Sequence, residues 1–347
     1  MPSPNWCHQV RIPTGKTILN SLSWRGDTLV DWAGGCATWE MDGKTTPVTK
    51  SWGYPMNAAI TDASGEWALV HQRTGTAGVL LHQGQYVREI HRSLYHAGAF
   101  EFPACLFTRE GRALLAHCPQ NYAQIEIDDA LSGERLTANS SRETVDFFHS
   151  RLQISPGGTR LLSAGWVWHP LNAAVWFDVA AALRDPRTLD VLAGATNSRN
   201  VSLTEESSAA WLDDEHVLLG GGSEEEDEEE AAEADALDTC RPKPNAIAVV
   251  DATTGKCSAV IPLGHPPGKM LAVGKEHVLT FFKHPKLVSL RSREVIHEWP
   301  EIDSGTVTSS IVTDQPYPVM ALDVEHSRFA ILGKEAIDVV QIDPQAL

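Results

Sequence analysis

The sequence predicts an all-β fold: a seven-bladed β-propeller closed by pairing of an N-terminal strand with the last blade. Three observations point there. A strand–turn–strand unit recurs seven times, a second strand-and-turn element recurs downstream of it, and an N-terminal strand is available to complete the last unit.

The first unit is clearest from Leu152 to Ala164, LQISPGGTRLLSA. Leu152 and Ile154 alternate with polar positions, as a half-buried strand requires. Ser155-Pro-Gly-Gly158 makes the turn, because proline presets its φ and glycine tolerates a positive one. Leu161 and Leu162 open the return strand. The other six copies are Leu22–Val30, Ile60–Val70, Leu106–Leu115, Ala210–Leu219, Leu271–Thr280 and Leu322–Leu332. Their spacing of roughly 40–60 residues is near that of a propeller blade, about 40–45.

The second element is a strand ending in a hairpin turn of Asp, Ser or Thr, and Gly, the residues such turns need. Ile247–Lys256 and Ile125–Glu134 carry it in full, and Ala174–Asp178 and Trp39–Gly43 in part. Leu287–Leu290 and Ile337–Val340 supply the equivalent strands of the last two units. The final unit offers three strands near 318–323, 328–332 and 336–342, and His8–Ile12 is the candidate fourth. Joining first and last segments in one sheet closes a ring and protects its edges.

The segment His149–Asp178 has a His before its first strand, Ser-Pro-x-Gly at its hairpin and Val175-Trp-Phe-Asp on a later strand. In these features it resembles a WD40 blade, and Gly264-His265 resembles the Gly-His pair of that family. The other units depart from the pattern, so what the WD40-like resemblance implies is the fold and not an activity. The competing architecture is an open, two-domain all-β protein.

Residues 1–347 are read as a single propeller domain, with an acidic loop insertion at 220–245 in the fifth blade. Glu224 to Glu230 are seven consecutive acids, followed by Glu233, Asp235 and Asp238. They supply ten of the negative charges behind a net charge of −17. Such a chain repels phosphate backbones, so nucleic acid is not expected as a direct ligand. The run itself reads as a solvated loop, with attraction of a basic partner through Glu224–Asp238 as its functional alternative. Its acids lack the spacing and turn glycine of a calcium loop.

Six scattered cysteines form no C-x-x-C pair, as in a reduced cytoplasmic protein. The start, MPSPNWCHQVRIP, has no apolar signal core, and no stretch is apolar enough to span a membrane. A cytoplasmic location is therefore expected.

In a propeller, inter-blade loops and loops between second and third strands gather on one face. By that sorting the inter-blade loops carry Trp52, Tyr54, Tyr95, His96, Phe100, Phe102, Phe147, Phe148, His149, His265 and Tyr317. The other loops carry His71, Gln72, Arg73, His117, Asn121, Trp166, Trp168, His169 and His284. A plain structural role packs these aromatics against the ring. The functional reading is a binding surface on Trp52, Tyr54, Tyr95, His96, Phe148, Trp166, Trp168 and His169, because aromatic residues anchor interfaces. No G-x-S-x-G, H-E-x-x-H or P-loop signature occurs, nor any cofactor motif. The first expectation is thus a non-catalytic protein-interaction scaffold or complex subunit. The alternative is a channel-mouth enzyme acting on a small molecule or glycan, metal-assisted through His71, His117, His169 and His284.

Overall fold

The structure is a computed structural model that describes residues 4–15, 17–138, 141–168, 171–190, 201–204, 208–222, 242–309 and 317–347. Seven antiparallel sheets follow one another along the chain, six of four strands and one of three, each ordered consecutively from its innermost strand outward. Blade 1 is Ser23–Arg25, Thr28–Asp31, Ala37–Glu40 and Thr45–Thr46. Blade 2 is Ala58–Thr61, Trp67–His71, Ala77–His82 and Gln85–His91. Blade 3 has three strands: Ala104–Arg109, Arg112–His117 and Glu126–Asp129. Blade 4 is Gln153–Ile154, Arg160–Trp168, Leu171–Asp178 and Val201–Thr204. Blade 5 is Ala209–Trp211, His216–Gly220, Ala246–Asp251 and Cys257–Pro262. Blade 6 is Met270–Val273, His277–Thr280, Lys286–Ser289 and Glu294–Glu298. Blade 7 is Met320–Asp323, Arg328–Leu332 and Ala336–Ile342.

Each of the seven sequence repeats forms the inner hairpin of one blade. The fourth strand of blade 7 is Cys7–Pro13, which pairs antiparallel with Ala336–Ile342 in the register His8↔Gln341 to Ile12↔Ile337. The expected closure is therefore present. Arg328, nearly buried, clamps the same seam. It donates to Asp323 at 2.8 Å and to Asp27 of blade 1 at 2.7 Å, and lies 3.9 Å over the Trp24 ring.

The core is a set of layers between blades. One cluster joins Val30 and Trp32 of blade 1 to Ala68, Val70 and Leu81 of blade 2. Comparable clusters join each later pair, and Ile337 and Val339 of blade 7 pack on Leu29 and Trp39 of blade 1. This layering explains why the strands alternate weakly in sequence. Both faces of an inner strand are covered, as in Trp67–His71, where every residue is buried. Each fully buried Val, Leu or Phe contributes roughly 1.5–3 kcal/mol.

Two blades depart from the repeat. Beyond Asp128, blade 3 makes only an isolated bridge to Arg135. The following segment is held by Arg142, whose buried guanidinium grips Asp190 through Nε at 2.7 and 2.8 Å and donates to the Ile125 carbonyl at 3.1 Å. In blade 4, Asp178 caps a short helix, Val179–Arg184, where blades 1, 2, 5 and 6 make a hairpin between their third and fourth strands. That is why Val175-Trp-Phe-Asp matched the second element only in part. The acidic run 224–238 lies outside the described residues. The chain leaves blade 5 for it after the second strand, Gly221 and Gly222, and returns at Pro242. Among the described residues no helix is long and apolar enough to cross a membrane.

Candidate functional site

Because neighbouring strands run antiparallel, the 1–2 and 3–4 hairpins lie at one end of the ring. The 2–3 connections and the inter-blade loops lie at the other. At that second end the starts of the inner strands surround a cavity of about 360 Å³ on the channel axis.

Five polar side chains meet in it, from five blades. Glu101, Arg151, Lys269 and Tyr317 stand one to three residues before the inner strands of blades 3, 4, 6 and 7, and Arg73 follows the second strand of blade 2. Arg151 binds Glu101 at 2.9 Å and donates to the carbonyls of Thr308 and Ser309. The Tyr317 hydroxyl donates to the same Glu101 oxygen. The Arg73 guanidinium lies 3.6 Å and the Lys269 ammonium 4.8 Å from the Tyr317 ring centroid. Arg151 holds φ at 45°, a left-handed backbone that costs a non-glycine residue free energy.

Three cations thus surround one carboxylate. Burial pushes Glu101 up, but Arg151, Lys269, Arg73 and the Tyr317 hydroxyl outweigh it and hold the acid at about 2. Burial lowers Lys269, Glu101 opposes that, and Arg73 and Arg151 add to it, so its amine is pushed down to about 8. Among the described residues neither Arg73 nor Lys269 has a hydrogen-bond acceptor for its charged head; both rest on the tyrosine ring.

A second cluster rises on the same end between blades 3 and 4. Tyr95 stacks on Tyr122 at 4.9 Å, Tyr122 on Phe148 at 4.3 Å, and Phe148 leans on Trp166 at 4.5 Å. His96 meets Tyr95 edge-on at 4.5 Å, and Phe100 lies beneath. The stack is graded: Tyr95, His96 and Leu94 are exposed, whereas Phe148 and Trp166 are buried. Gly165 permits it, since a Cβ there would meet the Phe148 carbonyl at 2.2 Å. Arg92 sets the height of the outer loop. Its buried head reaches the carbonyls of Gly75 at 2.7 Å, Phe100 at 2.8 Å and Glu101 at 3.1 Å, and also that of Ala97.

The structure places the sequence candidates unevenly. Tyr95, His96, Phe148 and Trp166 come together. Trp52 and Tyr54 sit apart on the loop from blade 1 to blade 2. There Trp52 donates its indole N–H to the Trp32 carbonyl at 3.1 Å and Tyr54 is half exposed. Trp166 and Trp168, expected in a loop, lie within the second strand of blade 4, which runs on to Trp168 past a bulge. The extension is carried by pairing with the third strand, Trp166 opposite Asn172 and Trp168 opposite Leu171, and Phe148 adds an isolated bridge to Trp166. His169 lies outside the described residues. Of the histidines proposed for a metal, His71 packs against Phe102 at 5.0 Å, and burial lowers it to about 4. His117 pairs with buried Asp128 at 3.0 Å, and His284 pairs with Glu298 at 3.0 Å. Among the described residues no group of three or more His, Cys, Asp or Glu side chains is placed to hold a metal ion.

Glu101, Arg151 and Lys269 were missed by sequence reasoning, and so was Tyr122. The signal for the first three was their shared position just ahead of inner strands, where side chains are delivered to the axis.

The sequence matches no protein-family model and no curated protein. Solved structures do match over nearly the whole chain. A chain of a mitotic checkpoint complex is 14% identical with a TM-score of 0.58, covering 96% of this chain and 91% of that one. The Cps50 (Swd1) β-propeller domain of Myceliophteria thermophila is 9% identical with a TM-score of 0.54, covering 96% of this chain and 99% of that one. At these identities the likeness concerns the fold, and in its fold this chain is a seven-bladed β-propeller.

Proposed function

We propose that this protein is a non-catalytic interaction scaffold, a complex subunit that docks a protein partner on the end of the ring where the inter-blade loops emerge. One observation carries the reading. Of eleven exposed large apolar side chains among the described residues, six lie on four consecutive inter-blade loops: Ile18, Val48, Tyr54, Leu94, Tyr95 and Val145. Apolar groups left in water on one sector of a rigid ring are what an interface covers. The graded stack under Tyr95 supports this, because a buried aromatic base holds the exposed tip in place at little further entropic cost. Two solved structures of the same fold, one of them from a multi-protein complex, are compatible with a scaffold role.

The acidic run extends the reading. It departs from and returns to blade 5 at this same end, so a basic segment is the complementary partner chemistry. Cys7, Cys36, Cys105, Cys118 and Cys257 are free thiols, which supports a reducing, cytoplasmic setting.

The test is a stoichiometric pull-down from the native host with wild type, Leu94→Asp and Tyr95→Asp. The partner should be lost in both variants while circular dichroism and the melting temperature stay close to wild type. A partner retained by both variants refutes this docking surface.

A further inference from the structure

We propose that the axial cavity is a binding site for a free small dianion, a doubly charged phosphate or dicarboxylate, held between Arg73 and Lys269. The cavity volume of about 360 Å³ falls within the range of small-ligand sites, about 300–1,000 Å³. Its charge is unbalanced. Among the described residues Arg73, Arg151 and Lys269 face a single carboxylate, Glu101. Arg151 is engaged with Glu101 and with the carbonyls of Thr308 and Ser309. Among the described residues the heads of Arg73 and Lys269 rest on the Tyr317 ring face and share the field of Glu101, which is hydrogen-bonded to Arg151 instead. Their heads cannot be farther apart than the sum of their distances to that ring, so two like charges share one region of the cavity. Among the described residues the one carboxylate that acts on both, Glu101, is already paired with Arg151. Desolvated like charges repel, and an anion between them offsets that repulsion. The donors suit oxygen acceptors: a guanidinium fork and an ammonium, both oriented by cation–π contact.

The size of the imbalance selects a dianion, since a doubly charged group neutralises the surplus of two. The surroundings select a small one. A protein of net charge −17 repels polyanions at long range, whereas a small anion on the axis experiences mainly the local cations. The site differs from the apolar loops on which a protein partner is proposed to dock, and stands whether or not that docking occurs.

Binding should also take up protons. The charged and titratable groups around the Lys269 amine are Glu101, Arg73, Arg151, Tyr317 and the neutral His71. An added dianion stabilises the ammonium form, so affinity should fall as pH rises through about 8.

The experiment is isothermal titration of wild type, Arg73→Met and Lys269→Met with inorganic phosphate and, separately, with malonate. Each replacement keeps an apolar stem on Tyr317, and circular dichroism checks the fold. Wild type should bind at least one of the two anions, and each variant should weaken that binding by about tenfold or more. Preference for phosphate or for malonate assigns the ligand class and supports the site either way. In a second measurement, titration in buffers of different ionisation enthalpy should show proton uptake near pH 8 in wild type, lost in Lys269→Met. Two results overturn the proposal: no binding of either anion up to about 10 mM, or binding that both variants retain unchanged.

Discussion

Arg151 illustrates how much one side chain settles here. It adopts a left-handed backbone, neutralises Glu101 and ties down the carbonyls of Thr308 and Ser309. Removing it leaves a buried carboxylate without its main counter-charge. Arg151→Met should therefore destabilise the fold by about 3–5 kcal/mol in urea unfolding, and Glu101→Gln in the same background should recover part of the loss. His71 and His149 supply a second residue-scale prediction. Burial lowers them to about 4 and about 3, His71 against Phe102 and His149 against Ser163. Unfolded histidine titrates near 6.5, so the unfolded chain takes up protons first as pH falls. Their contribution is complete above about pH 6.5 and is lost towards pH 3–4, by roughly 3 kcal/mol for each at pH 4. Urea midpoints across pH 4–7 should fall with acid, and His149→Asn should flatten part of the slope.

Elements are placed by what crosses between blades as much as by their own ladders. The loop between blades 2 and 3 is held at its tip by the stack of Tyr95 on Tyr122 and from inside by Arg92 and its carbonyl partners. Arg92→Met should leave those carbonyls unpaired at about 1–3 kcal/mol apiece and raise amide exchange over residues 93–101. Gly165 is the matching constraint on the other side. Gly165→Ala should push Phe148 off Trp166, lowering near-ultraviolet dichroism and weakening partner binding while the far-ultraviolet signal persists. The strand and turn repeats were legible in sequence because alternation and turn chemistry are local. The bridge between Phe148 and Trp166 beside the long second strand of blade 4 was not, because it joins two separate segments of the chain.

Across the whole molecule, ring closure and charge are the governing features. Cys7–Pro13 supplies the outer strand of blade 7, and Arg328 ties that blade to blade 1. Deleting residues 1–13 should expose the edge of Ala336–Ile342, lower the melting temperature and promote concentration-dependent association, measured by light scattering. The acidic run should behave differently. Deleting 224–238 should leave the melting temperature nearly unchanged and remove the salt-sensitive part of partner affinity, because screening acts on exposed charge. A partner affinity independent of both salt and that deletion would discount the basic-partner reading.

By itself the sequence determined the seven inner hairpins, the order of the blades and the closing strand, since turn residues and alternating burial act over a few neighbouring positions. It also showed which loops share an end, because antiparallel order makes that a matter of counting strands. Tertiary structure alone decided which of those loop residues are surface and which are base. Tyr95 and Phe148 look alike in sequence, yet one is half exposed and the other fully buried beneath the loop that Arg92 holds. It alone gathered Arg73, Glu101, Arg151, Lys269 and Tyr317 from five blades into one cavity. Their proximity comes from closing a ring, and no periodicity along the chain encodes which side chains a closed ring brings to its axis.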